Sequence, residues 1–490
     1  MGYENGSEIT LTELIRIDGA LTKASLDVGV GKLRWLSGEK RFLEVESEVL
    51  GFETQGTRIT IKAFVGETKG SSCGKSNGKR ARRDFVLEMP TEECAVTWSE
   101  KLRNLINSFG RPRRLYILLN PYGGKKCARK IFHNEVRPLL EASDILYTLQ
   151  ETNYQLHAQE IAHKLELLKY DGIVCVSGDG VLVEVVNGLL QRDDWDTAIK
   201  VPLGIIPAGT GNGMAKSLLD SVGDVYSISN TVFAIIRGHK RSLDVTTVLQ
   251  GEAKFFSVLM LTWGFVADVD IESEKYRWMG SARLDFYCFL RVMSLRKYHG
   301  HVEFVPAPGY QVYGELVKRS ESCKDGILEQ ICGNDGRYLQ CGYEGPKISL
   351  EDVEWRSIGG PFILVWLNNV PWPCEDMMPA PEAKFSDGYL DVIIIKDCPK
   401  SAFMSILLKM KDGSHVKSPY VMYLKVKAFR LEPGQRVGNP ARGGIIDSDG
   451  EVIARGEGTY ECDQQDDLMA YGPPIHMTVD KGLATIYSPR

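Results

Sequence analysis

Between Arg113 and Thr247 the chain repeats one pattern: an apolar run, a turn rich in glycine or proline, then a helical stretch. Arg114–Leu119, Gly172–Val176 and Leu203–Ile206 are the runs. Because they are apolar throughout rather than alternating, they read as strands covered on both faces. Strands alternating with helices call for a parallel sheet with crossover connections. Open sheets of this kind bind ligands in the crevice beyond the strand C-termini, so the turns after the runs converge on one place.

Those turns are Asn120-Pro121-Tyr122-Gly123-Gly124-Lys125-Lys126, Ser177-Gly178-Asp179-Gly180 and Pro207-Ala208-Gly209-Thr210-Gly211-Asn212-Gly213. Glycines let backbone N–H groups approach an anion, and a following helix N-terminus adds a favourable partial charge. Neither familiar phosphate fingerprint is met. Gly209–Gly213 is not Gly-x-Gly-x-x-Gly, and Gly70-Ser71-Ser72-Cys73-Gly74-Lys75-Ser76 has one residue too few between its glycines for a P-loop.

On either side of this segment the pattern changes. Residues 1–110 predict strands at Lys32–Leu36, Arg41–Val45, Arg58–Phe64 and Arg83–Glu88. A basic loop (Lys69, Lys75, Lys79, Arg80, Arg82, Arg83) interrupts them, and a closing helix runs from Thr91 to Ser108 with Val96, Trp98, Leu102, Leu105 and Ile106 on its apolar face. Short strands closed by one helix carrying a tryptophan resemble a pleckstrin-homology-like barrel. Residues 248–490 read as short strands at Phe255–Leu261, Phe362–Leu367, Leu390–Lys396, Val421–Leu431 and Glu451–Arg455, with helices near Ala282–Ser294 and Ser401–Met410. That pattern predicts an antiparallel β-sandwich, with 306–360 as a surface insertion. The expected fold is α/β plus β: a three-layer α/β nucleotide-binding domain at 113–247 and a β-sandwich lipid-binding domain after it.

Composition narrows the setting. With 490 residues, 43% hydrophobic and 25% charged, the chain can bury several cores. A net charge of −5 exerts no general pull on nucleic acid, and no nucleic-acid partner is expected. The start lacks a secretory pattern, and Gly6 stands where a myristoylation signal has Ser or Thr. The apolar stretch Phe255–Ala267 is shorter than the ~20 residues of a spanning helix. The expectation is a cytoplasmic protein associating peripherally with membranes, with the basic loop as a candidate contact for anionic lipid. Among 11 cysteines no Cys-x-x-Cys occurs, and Cys323, Cys332 and Cys341 fit no zinc spacing, so free thiols are expected.

The string Ser177-Gly178-Asp179-Gly180-Val181-Leu182-Val183-Glu184-Val185-Val186-Asn187-Gly188-Leu189, with its two partner turns, resembles the catalytic domain shared by diacylglycerol, ceramide and sphingosine kinases. The segment Phe255–Arg277, containing Thr262-Trp263-Gly264-Phe265-Val266-Ala267-Asp268-Val269-Asp270, looks like the sphingosine kinase segment, most like a plant member. The resemblance implies a kinase using ATP and Mg2+ on a long-chain base, with Asp179 accepting the attacking hydroxyl's proton. Asn120, Pro121, Gly123, Gly124, Lys125, Ser177, Gly178, Gly180, Gly209, Thr210, Gly211 and Asn212 would surround the nucleotide, with Glu184 beside it at the start of a helix. Arg277 and Arg283 would contact phosphate. Asp449-Gly450-Glu451 would return to the nucleotide and magnesium, although Asp-Gly is also a common hairpin signal.

Asp270 would hold the base's amine and hydroxyl. As a strand, this segment would point Asp268 and Asp270 to one face, a carboxylate pair suited to a cationic headgroup and ill suited to neutral diacylglycerol. Phe265, Leu259 and Met260 would line the alkyl pocket. By the same family resemblance an endomembrane such as the vacuolar membrane is the expected location, and a homodimer stays open. A ceramide or diacylglycerol kinase and a non-catalytic lipid sensor are the competing readings. Tyr122, Lys126-Cys127 and Val183 depart from the family's usual residues.

Overall fold

The computed structural model describes residues 10–36, 42–66, 80–124, 126–280, 282–317, 342–346, 353–459 and 467–490; the Arg277 side chain also falls outside this set. Lys125, the basic-loop residues Lys69, Lys75 and Lys79, the near-miss segment 70–76 and Cys323, Cys332 and Cys341 lie outside the described residues.

Seven antiparallel strands open the chain: β1 (Thr10–Ile17), β2 (Ala20–Asp27), β3 (Lys32–Trp35), β4 (Phe42–Glu44), β5 (Val49–Gln55), β6 (Arg58–Gly66) and β7 (Arg80–Glu88). Their order is β4-β3-β2-β1-β7-β6-β5, and the helix Glu92–Ser108 follows them, the strand-rich unit ended by one helix that the sequence predicts. Thr91 caps that helix by accepting the Cys94 N–H at 3.2 Å. Its buried stripe is Ala95, Trp98, Leu102 and Leu105, whereas Val96, assigned to that stripe by spacing, is 53% exposed.

The α/β layer follows: β8 (Arg114–Leu119), β9 (Leu146–Glu151), β10 (Gly172–Ser177) and β11 (Leu203–Pro207), all parallel, in the order β9-β8-β10-β11. After β8 the chain packs residues 128–142 on the sheet face that carries Ile117 and Leu119; after β10 it packs Asp179–Leu190 on the other face. Adjacent β8 and β10 therefore send their connections to opposite faces, which opens a crevice between their C-terminal turns. Leu50 and Phe64 of the first domain join the Ile117/Leu119 core, docking that domain on the layer's outer face.

The remaining strands are β12 (Lys240–Gln250), β13 (Ala253–Ser257), β14 (Met260–Gly264), β15 (Tyr298–Pro306), β16 (Glu315–Leu316), β17 (Arg356–Gly359), β18 (Leu364–Asn368), β19 (Leu390–Ile395), β20 (Met422–Arg436), β21 (Ile445–Ser448), β22 (Glu451–Arg455) and β23 (Ile475–Tyr487). They enclose a second core around Trp263, Phe304, Phe362 and Phe429. Three expectations change here. The single strand expected at Phe255–Leu261 is two, broken at Val258-Leu259. The expected insertion contains β17, which pairs with β15 inside the sandwich sheet. The boundary at 247/248 is crossed by the last strand: β23 pairs antiparallel with β12, and Ile486 meets Leu203 of β11. The two layers thus share one continuous sheet.

Candidate active site

The glycine turns do converge, and they interlock. A side chain on Gly124 (φ +53°) would begin 2.8 Å from the Gly209 carbonyl carbon, and one on Gly209 would begin 2.2 Å from the Gly178 Cα. All three turns therefore pack backbone against backbone, which only glycine permits. Asn120 shapes the first turn, its Oδ1 accepting the N–H groups of Tyr122 (3.0 Å) and Gly123 (3.2 Å). Asn212 (φ +53°) shapes the third, its Oδ1 accepting the Gly209 N–H at 2.9 Å. Ser177 donates to the Gly178 carbonyl, Pro121 is buried, and Thr210 is exposed at the rim.

Asp179 stands at the middle of this arrangement. It is the first residue of the helix Asp179–Leu190 and only 9% exposed. Its Oδ2 accepts the Gly213 N–H at 2.6 Å and its Oδ1 the Met214 N–H at 3.1 Å, so it satisfies the start of the helix Gly213–Asp220. Burial pushes its pKa up to about 6. Those two N–H groups pull against the rise, and the Asp449 and Glu375 charges add to it. Its own helix has no side-chain cap, because Gly178 is at the N-cap. The first-turn N–H groups there remain available to an anion. A side chain on Gly180 would have nothing within 4 Å except Glu451 Oε1 at 3.8 Å, so space lies beside them.

Asp449-Gly450-Glu451 folds back into this crevice. Asp449 (φ +55°) is 7% exposed and accepts three backbone N–H groups: Val258 at 3.0 Å, Leu259 at 2.9 Å and Met260 at 2.7 Å. It therefore makes the break between β13 and β14, and burial lifts its pKa to about 6. Glu451 takes the Gln155 Nε2 donor on Oε2 at 2.9 Å; burial first, then the Glu184 charge, lifts its pKa to about 7. Glu184 lies in the second turn of its helix rather than at the start. Its Oε2 accepts the Ala158 N–H at 3.0 Å, capping the neighbouring helix His157–Lys164 while facing Glu451.

Residues 114–248 match the diacylglycerol kinase catalytic domain, and residues 347–465 match the YegS C-terminal NAD kinase beta sandwich-like domain. Sphingosine kinase 2 of Arabidopsis thaliana is 51% identical over 98% of this chain and 97% of its own length. Sphingosine kinase 1 of the same plant is 51% identical over 99% and 97%. Human sphingosine kinase 1 is 33% identical over 70% of this chain and 87% of its own. This chain belongs to the sphingosine kinase family.

The segment Phe265–Asp270 of this family member departs from the strand expectation. Phe265–Glu272 is a helix, begun by Gly264 at φ +92°, where a side chain would meet the Ile363 carbonyl at 2.5 Å. Residues two apart on a helix point to different sides, so Asp268 and Asp270 do not form one carboxylate pair. Asp268, 1% exposed, is bound by Arg291 at 3.1 Å, Arg296 at 3.4 Å and the Tyr298 hydroxyl at 2.6 Å. It is a structural anchor for the helix. Asp270 instead faces Asp447, with the Arg283 guanidinium near it; burial pushes its pKa up and Arg283 opposes that. Arg283 is tied to Glu274 and to the Asp270 carbonyl, beside the headgroup segment rather than on the glycine turns. Leu259 is buried in the catalytic core and Phe265 packs on Phe403 in another; Met260 touches both and accepts the Trp366 Nε1–H on sulfur at 3.0 Å. Leu259 does not share a wall with Phe265.

Two carboxylates escaped the sequence reading. Glu375 accepts from Asn212 Nδ2 and Tyr226 Oη, both at 2.6 Å, on a segment whose Trp372 and Pro373 carbonyls would both lie 2.4 Å from a side chain on Gly213. Its signal was the proline-rich Pro371-Trp372-Pro373 ahead of an acid. Asp447 is fully buried; burial first, then the Asp270, Asp449 and Glu451 charges, push its pKa well up, and the Gly450 N–H pulls against the rise.

Proposed function

We propose that this chain transfers the γ-phosphate of ATP to the primary hydroxyl of sphingosine and related long-chain bases, giving their 1-phosphates. The observation that carries the reading is Asp179: a buried carboxylate with a raised pKa, beside an uncapped helix N-terminus, on the wall shared by three interlocked glycine turns. In this role Asp179 takes the proton of the attacking hydroxyl as its oxygen bonds to phosphorus and the bond to ADP breaks. The N–H groups of Gly180 and its neighbours receive phosphate oxygens, and the turns fix their positions. Asp270 engages the headgroup.

Magnesium, carried by the nucleotide, supplies charge neutralisation on the phosphates when bound. The residues fit such a group sparingly. Both Asp449 oxygens are occupied by backbone N–H groups, whereas Glu451 keeps Oε1 toward Gly180 and is the residue left to meet the metal. Among the described residues no three His, Cys, Asp or Glu side chains are gathered as a cation site.

The enzyme works at a membrane from the cytoplasmic side, an endomembrane such as the vacuolar membrane. Support for peripheral contact comes from Phe286 (40% exposed), Phe289 (55%) and Met293 (57%), at helical spacing on one side of the helix Ala282–Met293, and from Trp278 (81%) on the segment before it. Among the described residues no helix is long and apolar enough to cross a membrane.

A kinase assay across headgroups tests the proposal. Sphingosine should exceed ceramide and diacylglycerol in kcat/KM, and Asp179→Asn should lose about 10²–10⁴-fold with an unchanged melting midpoint. Faster turnover of diacylglycerol in matched micelles, or full activity in the variant, would overturn it.

A further inference from the structure

The third glycine turn is held from outside as well as from within. Between β18 and β19 the chain leaves the sandwich and runs along that turn and the helix Gly213–Asp220. Ser217 Oγ accepts the Trp372 N–H and donates to the Trp372 carbonyl, each at 3.1 Å. Trp372 Nε1 donates to Asp220 at 3.0 Å, and Lys216, itself paired with Asp220, lies over the indole ring. Pro371 and Pro373 fix φ on either side of Trp372, which stiffens the segment. A side chain on Gly211 would touch Asp179 Oδ2 at 3.5 Å and the Pro373 carbonyl at 3.7 Å. The turn is thus sandwiched between Asp179 and this segment.

Glu375 is where the segment grips the turn. Its N–H donates to the Gly211 carbonyl at 3.0 Å, and its Oε1 accepts Asn212 Nδ2 and the Tyr226 hydroxyl, both at 2.6 Å. Asn212 spends its amide on its own turn as well: Oδ1 accepts the Gly209 N–H at 2.9 Å and Nδ2 donates to the Gly209 carbonyl at 3.1 Å. An ionised carboxylate only accepts, so Glu375 obliges that amide to present its nitrogen outward and its oxygen to the Gly209 N–H. With the amide reversed, two donors would face each other at Gly209. Asn212 sits in the left-handed region at φ +53° and is the N-cap of the helix whose first two N–H groups hold Asp179. Loosening Asn212 therefore reaches Asp179 directly.

We propose that Glu375 is a positioning residue for phosphoryl transfer: it locks Asn212, and through Asn212 the third glycine turn and the N–H groups that hold Asp179. The inference rests on the function proposed above and adds a residue from the sandwich that sets the geometry of the base in the α/β layer. Glu375 also acts on Asp179 through its charge. The ionisable groups around Asp179 are Asp449, Glu375, the Tyr226 hydroxyl and the Cys374 thiol, and burial keeps the last two neutral near pH 6. The two carboxylates disfavour ionised Asp179, and the Gly213 and Met214 N–H groups favour it. Removing the Glu375 charge therefore moves the acid limb of log kcat/KM to lower pH.

The test uses the full chain, sphinganine and saturating MgATP. Glu375→Ala should lower kcat about 10-fold or more, with KM for sphinganine within about 3-fold of the parent. Glu375→Gln keeps an acceptor for Asn212 and Tyr226, so it should recover kcat to within about 3-fold of the parent while its acid midpoint stays below the parent's. Ser217→Ala loosens the same segment without removing the charge, and should lower the melting midpoint with the acid midpoint unmoved. Glu375→Ala with kcat within about 3-fold of the parent, a Gln variant no more active than the Ala variant, or a Gln variant whose acid midpoint equals the parent's would each overturn the assignment. Should the Ala protein not fold, the acid midpoint of the Gln variant decides alone. A parent enzyme inactive on every base would instead refute the proposed function itself.

Discussion

Substituting alanine at two glycines of the crevice should have opposite signatures. A Cβ on Gly209 would begin 2.2 Å from Gly178 Cα and 2.7 Å from Gly178 N. Ordinary carbon contacts need about 3.5 Å, so the second and third turns must separate by more than ~1 Å. That displaces Asp179, whose carboxylate spans from the second turn to the N–H groups of Gly213 and Met214 at the end of the third. A misplacement of ~1 Å costs about 10²-fold in rate, and overpacking costs about 1–3 kcal/mol in stability. Gly180 differs. It is the second residue of its helix, and a Cβ there meets nothing closer than Glu451 Oε1 at 3.8 Å. Alanine is the better helix former by up to ~1 kcal/mol, so Gly180→Ala should leave the melting midpoint level or raise it by a few degrees. Yet if phosphate occupies that space, the added methyl should raise KM for ATP about 10-fold or more. Differential scanning fluorimetry and initial rates over a range of ATP concentrations separate the two. Gly180→Ala with an unaltered KM for ATP would refute the helix N-terminus as the phosphate site. Gly209→Ala with normal kcat and normal melting would refute the interlocked turns.

Other expectations follow from the buried charges and the exposed apolar face. Log kcat/KM should fall on the acid side with a midpoint about pH 6, where Asp179 protonates, and steepen if Glu451, near 7, must also ionise; a flat profile down to pH 5 would exclude Asp179 as base. The same raised pKa makes the folded state bind protons more tightly than the unfolded one, so these carboxylates destabilise the protein as pH rises from about 4 toward 7, and melting midpoints should reflect that sign. Asp268→Asn should cost about 3 kcal/mol by stranding Arg291, which is 3% exposed, and should lower activity on all lipids alike; a headgroup-selective loss would return Asp268 to the binding site. Trp278→Ser with Phe289→Ser should weaken sedimentation with lipid vesicles while sparing turnover in detergent micelles, and unchanged sedimentation would remove this face from membrane contact.

The α/β layer was legible because both-face burial leaves continuous apolar runs, and the turn glycines mark where those runs end. Even there the motif mixes two jobs. In the string Ser177–Leu189, Asn187 bonds the Phe256 carbonyl at 2.8 Å and the Phe256 N–H at 3.0 Å, pinning β13 to the helix. A side chain on Gly188 would meet the Gln159 carbonyl at 2.3 Å, so this glycine permits a close helix crossing. Such packing roles and phosphate roles look the same in one sequence, because both demand small residues at fixed spacing.

The headgroup segment was misread for a physical reason. Val266, Val269 and Ile271 are β-branched and suggest a strand, yet they lie on a helix whose stability comes from packing on β14, β18 and β21 rather than from propensity. The signal that outweighs them is Gly264: its backbone sits at φ +92°, pressed on the Ile363 carbonyl, a place where the chain turns out of the sheet. Once that turn is recognised, the two aspartates separate into different tasks. Asp268 is buried among arginines, and Asp270 is turned toward Asp447 on β21. Spacing along a strand would have made Asp268 and Asp270 the headgroup pair. The helix instead sets Asp270 against Asp447, a neighbour far away in sequence that no local spacing could reveal.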